Sequence, residues 1–523
     1  MKHRSLWAAL AGLVWLVQGC TLAAPADIRA GVGSACQADS DCQAAKCNFT
    51  SSGTSQGFGI CATSCVADTD CPTGTVCAKS LCQQPLAVGV ALTGAVTELE
   101  GWTFAHVSGL DAASKELGYV RLDKRFGLTP GNVLPDITEI ANSNQLILGN
   151  TVDYLTDFKA AAAALPDKKF VCVDDGVYML KQQNLRTYWI HRVLAWYLAG
   201  QVAAGTANKR LGVISAFINP ETVADVNAFT LGARSIKKDL IVEVRHMGFW
   251  FDTETLPTYK YKDRLGVTNN YYREEYLAAL MVDSGCEVIA HLGNTQRPVR
   301  LIEKLVNSKY TTGPVYSFAN DNQAGYLDAG GQPLKSCLGS IYENWFTLYR
   351  DLFESLHRNS FGPQTSFDYD MDLTTDSPTG VSVNPAAPVD SVAVRTLTQN
   401  LLRIKDPAPR RRIFGGPYKI NGQRDKNGDG LPDPASEQEV AADVVLDPQE
   451  TANMCWYVEG VVEKKDRENP LSADVPALVP GGLVPGATTP GSSVPYGSYS
   501  TDKLVIPAGL SAECRKNAFG SPS

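Results

Sequence analysis

The residues able to do chemistry in this 523-residue chain gather at short turns that follow apolar runs. The stretch "ELEGWTFAH" puts Glu98, Glu100 and Trp102 between the apolar "LAVGVALTG" and the helix-like "VSGLDAASKELG". Later turns of the same kind carry Asn150, Asp174 and Asp175, Phe217, Trp250 and Asp252, His291 and Asn294, and Asn320 and Asp321. Aromatic rings stack on flat faces at about 1 kcal/mol beyond area burial, and carboxylates accept hydrogen bonds from hydroxyl and N–H groups. These turns hold almost no Lys or Arg, so a phosphate brought into a dry site there would meet like charge. The pattern suits a neutral or cationic small molecule. Each residue also has a structural reading. Trp102 and Trp250 can be lids over a core, Asp174 and Asp175 helix caps, His106 and His291 satisfied core histidines, and Phe229 an inward-packing helix residue.

The elements that must position these turns alternate from Leu86 onward. Strand patterns read at "LAVGVALTG", "NQLILGNT", "KKFVCVDD", "KRLGVISAF", "LIVEVRHMGFW", "CEVIAHLG" and "GPVYSFAN". Helix-length segments lie between them, which predicts an α/β architecture with parallel strands covered on both faces. Ligands of open α/β sheets sit beyond the carboxyl ends of the strands, where these turns fall. The alternation pauses at "VAAGTANKR" and restarts, so a lobe boundary is expected near Ala207 and a crevice between two lobes.

The N-terminus reads as an export signal. Basic "MKHR" precedes an apolar stretch too short to span a membrane, and "LVQGC" has lipobox form with Cys20 as the lipidated first mature residue. An ordinary cleaved signal is the other reading. Of 14 cysteines, eight (Cys36, Cys42, Cys47, Cys61, Cys65, Cys71, Cys77 and Cys82) crowd into one short stretch, a disulfide framework for an oxidising compartment. Zinc is the weaker reading because no His lies among them. Cys172, Cys286, Cys337, Cys455 and Cys514 remain outside it. The formal net charge of −8 argues against a nucleic-acid partner, and "PRRRIF" from Pro409 is an isolated basic cluster.

Seven ordered blocks carry a family resemblance: "ELEGWTFAHVSGLDAA", "LPDKKFVCVDD", "YLAGQVAAGTANKRLGVISAF", "NAFTLGAR", "GFWFD", "CEVIAH" and "GGPYKINGQ" with "MCWYVEGV". Together, from about Leu86 to about Val462, they resemble the basic membrane lipoprotein family, substrate-binding lipoproteins of nucleoside ABC importers. The resemblance implies a two-lobed type I periplasmic-binding (Venus-flytrap) fold closing on a purine nucleoside or a similar neutral small molecule, with an ABC permease as a candidate partner. It implies that Trp102 and Trp250 sandwich a base with Phe229 nearby, and that Asp174 and Asp321 are carboxylate contacts. Glu98, Glu100, Asp252 and Asn294 complete the candidate ligand set by their place at the turns. The chain departs from the family at Leu99, where Asp or Asn is usual, in its cysteine-rich module, and in the insertion "TLPTYKYKDRLGVTNN".

"DKNGDGLPD" sets Asp425, Asn427, Asp429 and Asp433 at the spacing of an EF-hand loop, incomplete at its twelfth position, Ser436. A structural calcium ion and a solvated turn both fit; no other cofactor is expected. No zincin, dinucleotide or phosphate-loop motif appears, and "GTSQG" lacks the strand and helix of a nucleophile elbow, so no enzymatic activity is expected. The expected organisation is a signal peptide (1–19), lipid-anchored linker (20–34), disulfide module (35–84), first lobe (86–206, with a return near 316–362), second lobe (207–315), extension (363–463) and Pro/Gly/Ser-rich tail (464–523). The expected location is the bacterial cell envelope, facing the periplasm or cell surface. A surface sensor that uses the module for protein contact is the alternative function.

Overall fold

The computed structural model describes residues 35–36, 40, 42, 46–48, 59–94, 100–173, 183–216, 220–247, 250, 256–358, 361, 367–403, 409–421, 439–442, 444–446, 454 and 456–463. The signal peptide, Cys20, Glu98, Asp174, Asp252, the Asp425–Asp433 loop, Cys455, Cys514 and the tail lie outside these residues.

The N-terminal module is built from short antiparallel strands β1 (Ala35–Cys36), β2 (Lys46–Asn48) and β3 (Gly59–Ala62), then the hairpin β4 (Val76–Ala78) and β5 (Leu81–Gln83). Disulfides join Cys42 to Cys61, Cys65 to Cys77 and Cys71 to Cys82, and Cys47 is also disulfide-bonded, so these seven cysteines are cross-links and not zinc ligands. Ala78 of the hairpin joins the first lobe's core next to Gly118, and Lys79 pairs with Glu116 at 3.3 Å. The module is thereby seated on the lobe by packing.

The first lobe carries β6 (Leu86–Ala91), α1 (Gly101–Leu117), β7 (Val120–Arg125), α2 (Leu134–Ser143), β8 (Leu146–Gly149), α3 (Leu155–Ala164), β9 (Lys169–Val173) and β10 (Leu185–Ile190). The second carries α4 (Val193–Thr206), β11 (Arg210–Ser215), α5 (Pro220–Ile236), β12 (Ile241–His246), the hairpin β13 (Tyr259–Lys262) and β14 (Thr268–Tyr271), α6 (Arg273–Asp283), β15 (Val288–His291), α7 (Arg297–Asn307), β16 (Tyr316–Ala319) and β17 (Cys337–Glu343). The chain then returns to the first lobe with α8 (Trp345–His357) and β18 (Phe367–Tyr369) and crosses back with β19 (Thr379–Val383). After it come α9 (Ser391–Arg403), α10 (Pro409–Arg412), β20 (Tyr418–Asn421), β21 (Glu439–Val440), β22 (Tyr457–Val458) and β23 (Val461–Glu463).

The first sheet runs β18-β10-β9-β8-β6-β7, and every pairing in it is parallel. The second runs β19-β17-β16-β15-β11-β12-β23, parallel except where β19 meets β17. The central strands, such as "LILG" and "RLGVIS", are buried because helices cover both faces. Helices α1 and α8 pack on one face of the first sheet, and α2 and α3 on the other. Helix α4 is apolar all round and buries ten residues, as expected for a helix enclosed on every side; it packs with α5 on the second sheet.

That packing moves the lobe boundary. The crossing falls at His191 and Arg192, ahead of α4, rather than near Ala207, because the apolar surface of α4 is buried in the second lobe's core. The return to the first lobe is α8 and β18; β16 and β17, expected there, belong to the second sheet. Strands β7, β10 and β17 were not expected: their Arg, Lys, Thr and Ser residues interrupt the apolar run that marks a buried strand. The C-terminal segment supplies Val394, Leu401, Phe414, Trp456 and Val461 to the second lobe's core, and the insertion folds into the β13–β14 hairpin.

Helices α4 and α5 meet backbone to backbone. A Cβ on Gly200 would lie 2.0 Å from the Phe229 carbonyl oxygen, and one on Gly232 would lie 1.9 Å from that of Tyr197. Helix backbones cannot yield as side-chain ends can. Gly232→Ala is therefore expected to lose about 1–3 kcal/mol of stability despite alanine's better helix propensity, measured by urea denaturation. An unchanged midpoint would show that the two helices can separate freely.

Candidate functional site

The turns after the strands face one another across a cleft of about 510 Å³, partly open to solvent. The first lobe contributes Thr93, Trp102, Thr151, Val152, Val173 and Trp189 to its lining, and the second contributes Glu221, Trp250, Leu292 and Asn294, with Arg192 at the crossing. Trp102, Trp250 and Asn294 of the sequence-predicted set thus come together, with a tryptophan from each lobe.

Trp102 is held in place from behind. Its Nε1 donates to the Asn150 carbonyl oxygen at 2.6 Å, and its ring meets Trp345 edge-on at 5.2 Å and His106 at 4.5 Å. His106 is fully buried, stacked on Trp345 at 3.9 Å, and its Nδ1 lies 2.5 Å from the Tyr349 hydroxyl, which in turn lies 3.0 Å from that of Tyr188. Burial pushes the His106 pKa well below its ordinary value, so this support layer is neutral. His291 is likewise structural, with its ring nitrogens 3.2 Å and 2.6 Å from the carbonyl oxygens of Phe318 and Thr295.

The acidic side of the cleft is organised by a residue the turn pattern missed. Arg192 is 4% exposed, and its guanidinium pairs with Glu221, Asp225 at 3.1 Å, Asp321 at 3.5 Å and Glu343 at 3.0 Å. It also lies 5.9 Å from the Trp189 ring. Four carboxylates on one guanidinium leave acid in excess. Burial, the largest influence, raises the pKa of Glu221, Glu343 and, most strongly, Asp225, against the opposing pull of Arg192. The cleft therefore does contain an arginine, but its guanidinium is engaged by four acidic side chains.

Other sequence-predicted residues sit elsewhere. Asp321 is buried as an Arg192 partner and does not line the cleft. Its positive φ of 65° lets it turn back after β16. Phe229 is fully buried against Trp196 at 6.0 Å, so its position in α5 makes it core. Glu100 engages α7 of the opposite lobe instead of the cleft. Trp189 and Arg192 had one sequence signal, the "YWIHR" run where the chain leaves the first sheet, whereas Glu221, in "NPETV", lies outside it.

In each sheet the first strand lies between the second and third, and the remaining strands follow outward. Together with three crossings between the lobes, that order defines the two-lobed type I periplasmic-binding fold. No family model matches the chain. A Haloferax volcanii protein named for glucose binding in an ABC transporter is 26% identical over 266 residues, covering 50% of this chain and 59% of that protein. A purine-binding protein of Brucella abortus is 30% identical over 178 residues, covering 32% of this chain and 49% of its own length. The chain thus spans about half to three fifths of the length of these relatives. Among solved structures, an ABC transporter solute-binding protein from Conexibacter woesei is 15% identical, with 60% of this chain and 96% of that chain covered and a TM-score of 0.45. One from Agrobacterium vitis, bound with α-D-tagatopyranose, is 14% identical, with coverage of 62% and 98% and a TM-score of 0.40.

The raised pKa of Asp225 has a definite sign. Its contribution to stability is complete below its unfolded pKa and is lost as pH rises through its folded one. Asp225→Asn removes that loss, so the variant's Tm relative to the unsubstituted chain is expected to rise as pH is raised above the ordinary carboxylate range. A difference that stays flat or falls would mean that pairing with Arg192 outweighs burial.

Proposed function

We propose that this chain is an extracytoplasmic solute-binding protein that closes its two lobes on a purine nucleoside, or a chemically similar neutral ring compound, for delivery to an ABC importer. The observation that carries the reading is the cleft itself, with Trp102 and Trp250 on opposite lobes and the Arg192–Glu221 pair at its lining. Two aromatic faces suit a flat base, and Glu221 at the lining suits N–H or hydroxyl donors. The likeness to a purine-binding protein supports this choice. The proposal includes membership of the basic membrane lipoprotein family and a lipid anchor at Cys20 on the cell envelope. The Asp425–Asp433 loop is proposed as a structural calcium site, separate from ligand capture.

A sugar is the second reading, favoured by the relative named for glucose binding and by a third tryptophan, Trp189, at the same cleft. Calorimetric titration with inosine, guanosine, adenosine and glucose separates the two. A nucleoside is expected to bind, glucose not, and Trp102→Ala to weaken the nucleoside roughly tenfold or more, since base stacking on an aromatic is worth about 1–3 kcal/mol. Glucose binding alone would replace the nucleoside with a sugar. Inosine monophosphate is expected to bind more weakly than inosine, because Arg192, the one cation at the lining, is already engaged by acids and is not free for the phosphate; tighter binding would overturn the electrostatic argument.

A further inference from the structure

Beside the cleft residues Trp102 and Asn294 the two lobes touch through groups that belong to neither core. Glu100 holds the N-cap position of α1 in the first lobe without a side-chain capping bond, and Arg300 lies one turn into α7 in the second. The Arg300 guanidinium meets the Glu100 carboxylate as a fork, with Nη2 donating to Oε1 at 2.5 Å and Nη1 donating to Oε2. The Gln296 backbone N–H adds a third donor to Oε1 at 3.1 Å, and the Gln296 side chain is itself tied to the Asn320 carbonyl oxygen at 2.6 Å. Among the described residues, every hydrogen bond this carboxylate accepts comes from the opposite lobe.

The next residue makes a second crossing contact. Gly101 has φ of +75°, and a Cβ there would lie 1.6 Å from the Asn294 carbonyl oxygen and 2.6 Å from its carbon. Both atoms belong to the backbone, so they cannot move aside as a side-chain end would. Trp102 and Asn294, which line the cleft, adjoin or form this contact. Rotation of the lobes about the crossings would part both contacts at once, because no covalent segment joins α1 to α7 directly.

We propose that Glu100, Gly101 and Arg300 form a closing latch, in which the carboxylate–guanidinium fork biases the lobes toward closure and the absent side chain at residue 101 lets them meet. The inference rests on the reading of the cleft as a ligand site that opens and closes. The pair is partly exposed, with 28% of the Glu100 side chain and 44% of the Arg300 side chain open to solvent. An ion pair in such a setting gives a modest bias that salt weakens. A weak latch suits reversible capture: ligand contacts complete the closure, and the latch slows release without making it irreversible.

The test uses small-angle X-ray scattering of the full chain without ligand, and stopped-flow release of inosine followed by tryptophan fluorescence. Glu100→Gln is expected to raise the open-to-closed ratio about twofold to fivefold, the range of a partly exposed ion pair. E100R and R300E should each raise the radius of gyration further, and the E100R/R300E double variant should restore the closed profile by exchanging the charges. Gly101→Ala should hold the lobes apart in low and high salt alike, with release accelerated at least about fivefold. Single charge reversals that leave the scattering profile unchanged, or a double variant as open as the singles, would overturn the latch. Failure of the unsubstituted chain to bind inosine would overturn the nucleoside reading alone, since the ligand-free scattering still decides the latch.

Discussion

The fold turns on one buried cation. Arg192 sits where the chain first leaves the first sheet, and its guanidinium is met by acids from three separate stretches of the second lobe: Glu221 and Asp225 on α5, Asp321 after β16 and Glu343 at the end of β17. Burying a charge costs several kcal/mol unless partners and hydrogen bonds offset it, so the arginine cannot be enclosed before those stretches are in place. Glu343 lies at the second crossing, so the same cation also fixes where the chain goes back. One ionic cluster thereby ties two of the crossings between the lobes together.

Around this centre the two lobes are completed differently. The first closes its sheet with α8 and β18, brought in from far along the chain, and carries the disulfide module on the flank formed by α1. The second recruits the whole stretch from β19 to β23, whose Trp456 and Phe414 fill space against α4 and α5. The all-round apolar surface of α4 requires such a cover, because a sheet on one side and one helix on the other leave part of it bare. Neither lobe is therefore a contiguous segment, and cooperative folding of each depends on distant parts of the chain.

Rigid and adaptable features are segregated in the cleft. Trp102 is backed by an aromatic and hydroxyl layer of His106, Trp345, Tyr349 and Tyr188, all buried and neutral, which fixes the ring without adding charge. The contacts that join the lobes beside it are fewer, polar and partly exposed. That division keeps the neutral support of Trp102 within one lobe and places the polar, partly exposed contacts between the lobes.

What the residues determine locally was legible in the chain itself. Apolar runs bounded by helix-length segments identify the parallel strands at the middle of both sheets, because strands covered on both faces must be apolar throughout. The turns after those strands identify Trp102, Trp250 and Asn294, since side chains at strand ends converge wherever a parallel sheet ends. Cysteine density identifies a disulfide module, though not its pairings, which depend on which Cα atoms the fold brings within bridging distance. Tertiary structure alone decided the rest. Glu100 looks like a cleft carboxylate until α7, 200 residues away, supplies its arginine. Asp321 looks like a ligand contact until Arg192 occupies it, and Phe229 like a third aromatic until α4 covers it. The lobe boundary moved from Ala207 to His191 for the same reason. A sequence pattern shows which surface must be buried, whereas the partner that buries it comes from elsewhere in the chain.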